Sequence, residues 1–217
     1  MSSAAQRASL ADQAYEAIRD RIVTLQLRPG TAINERALIE ELGIGRTPVR
    51  EAIRRLSQER LIEVYPRRGM VVTTVEIRDL ASLCEVRAVL ESHAARLAAE
   101  RANTGDREEL AGLLDALAEE SGSDQRALIA LDERIHRAIY RWAHNPFLEG
   151  TLEEYYVHAL RIWNLALDHA PGLEKAVRAH GPLLRAIWTG KADRAAEIMR
   201  RHVDDFERAM HKALLGG

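Results

Sequence analysis

Hydrophobic positions in the first 75 residues recur three times at helical spacing and then switch to strict alternation. Ala14, Tyr15, Ile18, Ile22 and Leu25 mark one face of a helix over residues 11–27, and Arg28-Pro29-Gly30 stops it. A second helix takes Asn34 as its N-cap, runs through NERALIEEL and ends at Gly43, where left-handed backbone costs little. The third follows at once. Thr47-Pro48 is expected to place a capping hydroxyl ahead of a first-turn proline, with Val49, Ala52, Ile53 and Leu56 turned inward. LIEVY and MVVTT then read as two short strands around Pro66-Arg67-Arg68-Gly69, a hairpin turn with glycine where positive φ is needed.

From residue 79 the period is helical throughout. Segments 79–101, 106–120, 124–143, 146–169, 173–189 and 191–214 are separated by Asn103-Thr104-Gly105, Ser121-Gly122-Ser123, Asn145-Pro146, Pro171-Gly172 and Gly190. The expected fold class is mainly α: a winged helix-turn-helix domain over 9–75, a linker at 76–79, and an all-helical bundle over 80–217, with residues 1–8 disordered. One segment is interrupted. Proline displaces the carbonyl four residues back, so Gly181-Pro182 predicts a kink in the helix 173–189 or a helix that begins at Gly181.

With 217 residues, 47% of them hydrophobic, the chain can build sizeable cores. The single cysteine, Cys84, leaves no intramolecular disulfide and no cysteine-based zinc framework, which fits a reducing compartment. MSSAAQRASL lacks the apolar stretch of a signal peptide, and no apolar run approaches the ~20 residues of a membrane span. A soluble, cytoplasmic protein without membrane association is expected. The net charge of −2 conceals an asymmetry: residues 1–75 carry 12 basic against 9 acidic side chains, the remainder 19 against 24. That balance suits a first region that meets a polyanion.

Two helices joined by a tight glycine turn, the second of them basic and followed by a hairpin, form the pattern of a winged helix-turn-helix. In GRTPVREAIRRLSQER the outward face carries Arg50, Arg54, Arg55 and Gln58, with Arg46 and Thr47 at the helix N-terminus, whose free amides favour phosphate. Arg67 and Arg68 stand at the hairpin tip.

The helical region sets polar groups in apolar stripes. Asp132 and His136 stand one turn apart beside Leu131, Ile135, Ala138, Ile139 and Trp142. His180 falls in line with Leu173, Val177, Leu184 and Ile187, and His202 with Ala195, Met199, Phe206 and Ala209. Any one of these histidines alone reads as an ordinary core residue. Three helices aiming such groups at one interior read as a divalent metal site, because neutral imidazole and carboxylate are the usual ligands of zinc, nickel or manganese. His93, His144, His158, His169 and His211 form no comparable inward set. Arg87 interrupts the stripe Leu80, Leu83, Leu90, Ala94 and Leu97 with a charge that needs a carboxylate, either Glu91 one turn on or a bound anion.

LRPGTAINERALIEELGIGRTPVREAIRRLSQERLIEVYPRRGMVV resembles the DNA-binding domain of the GntR superfamily of bacterial transcription regulators. The resemblance implies DNA contacts from Arg36, Arg46, Thr47, Arg50 and Gly69. Two residues depart from the family pattern: Gly45, where Ser or Thr is frequent, and Arg60, where Gly usually closes the recognition helix. Asp132-x3-His136, His180, and His202 in MRRHVDDF, with VRAVLESHAARLAAE near the start of the region, are similar to the helical effector domain of the FadR subgroup, the FCD domain. That similarity implies a metal, zinc foremost and nickel or manganese as alternatives, held by Asp132, His136, His180 and His202, and a small carboxylate effector clamped by Arg87. The expectation is a homodimeric repressor on a palindromic DNA operator, released by its effector. The rivals are a metal-dependent hydrolase, for which no general base is identifiable, and a regulator whose metal is purely structural.

Overall fold

The computed structural model describes residues 9–67, 69–75, 77–119, 124–166 and 172–215, which fall in two compact units, 1–75 and 76–217. The expected disorder of residues 1–8 concerns residues outside that set.

In the first unit α1 (Leu10–Val23) begins at Ser9, whose hydroxyl accepts the Asp12 N–H while the Asp12 carboxylate accepts the Ser9 N–H. This reciprocal cap satisfies two otherwise unpaired donors. The helix ends four residues short of the expected Leu27: Leu25 turns to φ +61° and the Leu27 N–H reaches back to the Arg21 carbonyl. Helix α2 (Glu35–Leu42) has the expected ends, Asn34 accepting from the Ala37 N–H and Gly43 at φ +63°. Helix α3 (Arg46–Gln58) departs from expectation at its start. Its N-cap is Gly45, without a side-chain cap, so Thr47 is not a capping residue but lies inside the first turn with Pro48. Three helical positions there have no carbonyl to reach, and Pro48 sacrifices no hydrogen bond.

Arg60 closes α3 in the left-handed conformation at φ +60°. Its N–H bonds to the Ser57 carbonyl and the Leu61 N–H to the Leu56 carbonyl, the paired bonds of a glycine-type helix stop formed without glycine. The family departure at this position therefore changes the residue and keeps the cap. Strand β1 (Ile62–Tyr65) pairs antiparallel with β2 (Gly69–Val72), Ile62 opposite Val72 and Tyr65 opposite Gly69. Residues 30–33 add a third edge, which alternation had not revealed: Ala32 bridges Val71, and the Gly30 and Ile33 N–H groups bond to Val72 and Met70. The core packs Ala14, Ile18 and Ile22 against Val49, Ala52, Ile53 and Leu56, with Ile62 and Val72 beneath the wing.

The second unit is α4 (Ile77–Arg101), α5 (Thr104–Glu119), α6 (Gln125–Trp142), α7 (Pro146–Ala166), α8 (Leu173–Arg178), α9 (His180–Trp188) and α10 (Ala192–Leu215). Of the expected linker 76–79, residues 77–79 are already helical. Helix α5 starts two residues early because Asn103 and Asp106 exchange side chain-to-backbone hydrogen bonds across its first turn. The expected helix 173–189 is two helices, broken at Ala179. Pro182 excludes the carbonyl four residues before it, that of Arg178, which is where α8 ends. The break is shallow, since Ala179 keeps near-helical angles, and Val177, His180, Leu184 and Ile187 still share a buried face.

Helix α4 lies along α10 and also touches α6, α7 and α9, so its inner face lines the middle of the unit. That face is Leu80, Cys84, Arg87, Glu91, Ala94 and Ala98, about a residue off the expected stripe, leaving Leu83 and Leu90 half-buried. On α10 the same drift exposes Ala209 and buries Met210. Among the described residues no helix is long and apolar enough to cross a membrane.

Candidate metal centre and nucleic-acid interface

Asp132 and His136 lie one turn apart on α6, His180 opens α9, and His202 lies midway along α10; all four are at most 8% exposed. One ligand atom from each falls within 4.8 Å of the other three. His136 Nε2 is 3.1 Å from His180 Nε2 and 3.2 Å from His202 Nε2. Of the histidines set aside, His93, His144, His158 and His211 stay out of this cluster. His169 lies outside the described residues.

The protons can be assigned from the partners. His180 Nδ1 is 3.0 Å from the Val177 carbonyl, which only accepts, so the proton resides on Nδ1 and the Nε2 lone pair faces the cluster. His136 Nδ1 faces Glu91 Oε2 at 3.0 Å, off the line of a good hydrogen bond, with the Tyr140 hydroxyl 3.3 Å away on the same nitrogen. A carboxylate likewise only accepts, so a proton on Nδ1 is the arrangement that suits Glu91, and it would turn a second Nε2 lone pair inward. Two such lone pairs at 3.1 Å repel unless a proton or cation lies between them. Burial lowers the His180 pKa to about 4 and, helped by the two neighbouring imidazoles, holds that of His202 well below its usual value. The His180 and His202 rings are therefore neutral near pH 7, as metal ligands must be.

Asp132 completes the set. Its Oδ2 accepts a 2.7 Å hydrogen bond from the Tyr156 hydroxyl, while its Oδ1 is buried without a hydrogen-bond partner. Tyr156 also stacks on the His136 ring at 4.7 Å. A buried carboxylate oxygen left unpaired costs ~1–3 kcal/mol or more, a cost that a cation removes. Converging imidazole lone pairs and an unpaired carboxylate oxygen fit a divalent ion, with the outer hydrogen bonds that orient metal ligands.

Of the two partners expected for Arg87, the structure shows the internal one. Its Nε donates to Glu91 Oε1 at 2.6 Å in a fully buried ion pair, the internal partner one turn on. Its Nη1 is buried without a partner, and its guanidinium carbon lies 5.1 Å from the Phe206 ring and 5.7 Å from the Tyr156 ring. Burial alone would push the Glu91 carboxyl up, but the Arg87 guanidinium beside it, with a smaller contribution from the nearby His136 ring, outweighs that and brings it down to about 2. Glu91, Tyr140 and Tyr156 belong to this site and were not singled out from sequence as parts of it. Glu91 was named only as a possible partner for Arg87 one turn away, not as a neighbour of the metal ligands.

In the first unit the residues matched to the DNA-binding family stand in solvent. Arg46 and Arg50 are 72% and 63% exposed, and both direct Nε at Glu35 Oε1, at 3.8 and 2.9 Å. Arg36 is 88% exposed and paired with Glu40; Thr47 is exposed on the first turn of α3, and Gly69 is exposed in the wing at φ +97°. Arg55 leaves the outward face expected for it: it bonds to Asp12 on α1 at 2.7 Å and stacks over Tyr15 at 4.1 Å. Arg67 is exposed at the wing tip, and Arg68 lies outside the described residues.

Comparison with known proteins agrees with both halves. Residues 10–72 match the gntR family of bacterial regulatory proteins and residues 82–205 the FCD domain. The chain is 28% identical to the HTH-type transcriptional regulator YdhC of Bacillus subtilis, over 92% of this chain and 90% of that one. It is 30% identical to a protein of Paenarthrobacter nicotinovorans named "Probable D-xylose utilization operon transcriptional repressor", over 91% and 87%. The solved structure of McbR/YncC from E. coli superposes with a TM-score of 0.77 at 25% identity, covering 93% of this chain and 98% of the other. A winged helix with solvent-borne arginines, followed by an all-helical effector domain, thus has a family: the chain belongs to the gntR family of bacterial regulatory proteins, in its FCD branch, and is a DNA-binding transcription regulator, not an enzyme.

Proposed function

We propose that this regulator senses a small carboxylate at a divalent ion held by Asp132, His136, His180 and His202, and that the effector releases it from DNA. The observation that carries the reading is the meeting of the histidine Nε2 atoms at 3.1–3.2 Å beside the unpaired Asp132 Oδ1. Zinc suits this nitrogen and oxygen set best, with nickel and manganese as alternatives. When bound, the ion supplies a Lewis-acidic position for one carboxylate oxygen. Arg87 Nη1 supplies a second donor, and Phe206 and Tyr156 keep water away from it.

On DNA, Arg36, Arg46, Thr47, Arg50 and Gly69 make the contacts. A single winged helix reads few base pairs, so the protein acts as a homodimer on a palindromic operator, in the cytoplasm. Effector binding lowers operator affinity by favouring a state that binds DNA poorly. Repression is supported by the name of the Paenarthrobacter relative.

Thermal unfolding with a panel of carboxylates, with and without chelator, tests the reading, followed by mobility shifts on DNA from the protein's own upstream region. An effector should stabilise only the metal-loaded protein and weaken its DNA complex. Arg87→Ala should abolish that response; an undiminished response leaves Arg87 a structural partner of Glu91.

A further inference from the structure

Glu91 is fully buried, yet each of its carboxylate oxygens faces a different functional side chain. Oε1 accepts from Arg87 Nε at 2.6 Å, and Oε2, which has no aligned hydrogen bond, stands 3.0 Å from His136 Nδ1. Arg87 and Glu91 are one turn apart on α4, whereas His136 comes from α6, so one carboxylate joins the anion clamp to the metal ligand across two helices.

We infer that Glu91 is a positioning residue: it fixes the His136 tautomer whose Nε2 faces the metal, and it holds the Arg87 guanidinium so that Nη1 is the edge left for an anion. This rests on the metal-centre reading. His136 needs such a partner because, unlike His180, it has no backbone carbonyl on Nδ1 among the described residues. The other group on that nitrogen is the Tyr140 hydroxyl at 3.3 Å, which both donates and accepts and so cannot by itself select a tautomer. A carboxylate can, since it only accepts. It also makes the imidazole a better donor to a cation, the role of outer carboxylates behind metal-bound histidines. The same carboxylate balances the buried Arg87 charge. Removing it alone would strand that charge, while replacing both partners with apolar groups would not.

The test uses the full-length protein labelled with ¹⁵N-histidine and stripped of metal. Long-range ¹H–¹⁵N spectra read the tautomer of His136, identified by the signals lost in His136→Gln, and competition with a chromophoric chelator gives the Zn²⁺ affinity. Both are measured for wild type, Glu91→Gln and the double variant Arg87→Met/Glu91→Leu, the last designed to fold if the single one does not. The expected result is an Nδ1–H tautomer in wild type, its loss in the variants, and Zn²⁺ binding about 10–100-fold weaker. Unchanged tautomer and affinity in the folded variants would overturn the inference and assign His136 to Tyr140. If wild type itself takes up no Zn²⁺, the metal reading fails and this inference with it.

Discussion

The two units treat charge in opposite ways. On α3 Arg46 and Arg50 are solvent-borne and share one carboxylate, Glu35. Such pairs contribute little to stability and can be exchanged for phosphate or a base edge at little cost. In the helical unit Arg87, Glu91, Asp132, His136, His180 and His202 are all buried, and several of their polar atoms lack partners. Groups placed there lower stability unless something binds them. An exposed polar surface therefore shows what the molecule can reach, and a buried unsatisfied one shows what it is built to hold.

Removing the ion should give the largest effect. A metal at 1,000 times its dissociation constant stabilises the folded state by about 4 kcal/mol. A chelator should therefore lower the melting temperature of wild type and leave that of Asp132→Ala unchanged. If both melt alike, with and without chelator, the contrast between the two units disappears.

Next in size is the pH response of the metal-free protein. His180 titrates at about 4 in the fold because burial penalises its charge, against 6.5 in the unfolded chain. Between these values the unfolded state binds more protons, so stability is full above pH 6.5 and falls as the pH drops towards 4. The loss is roughly 3 kcal/mol for this one group. Denaturant unfolding across that window in wild type and His180→Gln measures it, and the variant should show a shallower slope.

On the exposed side, Arg50→Ala should weaken operator binding by about 1–3 kcal/mol if Arg50 forks onto a guanine. Thermal stability should stay nearly unchanged, since Arg50 is mostly in solvent. Gel shifts and melting curves on the same preparation separate the two effects. A change in melting as large as the change in binding would make Arg50 a structural residue.

The smallest prediction concerns backbone. Arg60 holds φ +60°, so Arg60→Gly should stabilise the protein by about 1 kcal/mol, readable as a rise in the denaturant midpoint.

The sequence reading reached the centre through periodicity. Asp132, His136, His180 and His202 each stand at or beside an apolar stripe, and helical spacing alone turns them inward. It offered Glu91 as a partner for Arg87 but did not place it at the centre, because a glutamate one turn from an arginine looks the same whether the pair is buried or solvated; only the packing of α10 and α6 on α4 decides which. The break at Ala179 was legible in Pro182, although its position was placed too near the proline, since the steric conflict lies with the carbonyl of Arg178. The third wing edge at Ala32 left no trace in the sequence: it is a single bridge without alternation, formed because Val71 offers backbone groups that need partners. The inward turn of Arg55 was equally hidden, as its face on α3 is set by Asp12 and Tyr15 on α1.

The most direct test of the account is elemental analysis of the purified protein beside His180→Ala. One divalent ion per chain in the wild type, absent from the variant, is the predicted result. No ion in the wild type after incubation with Zn²⁺, Ni²⁺ and Mn²⁺, or an equal content in both proteins, would contradict it.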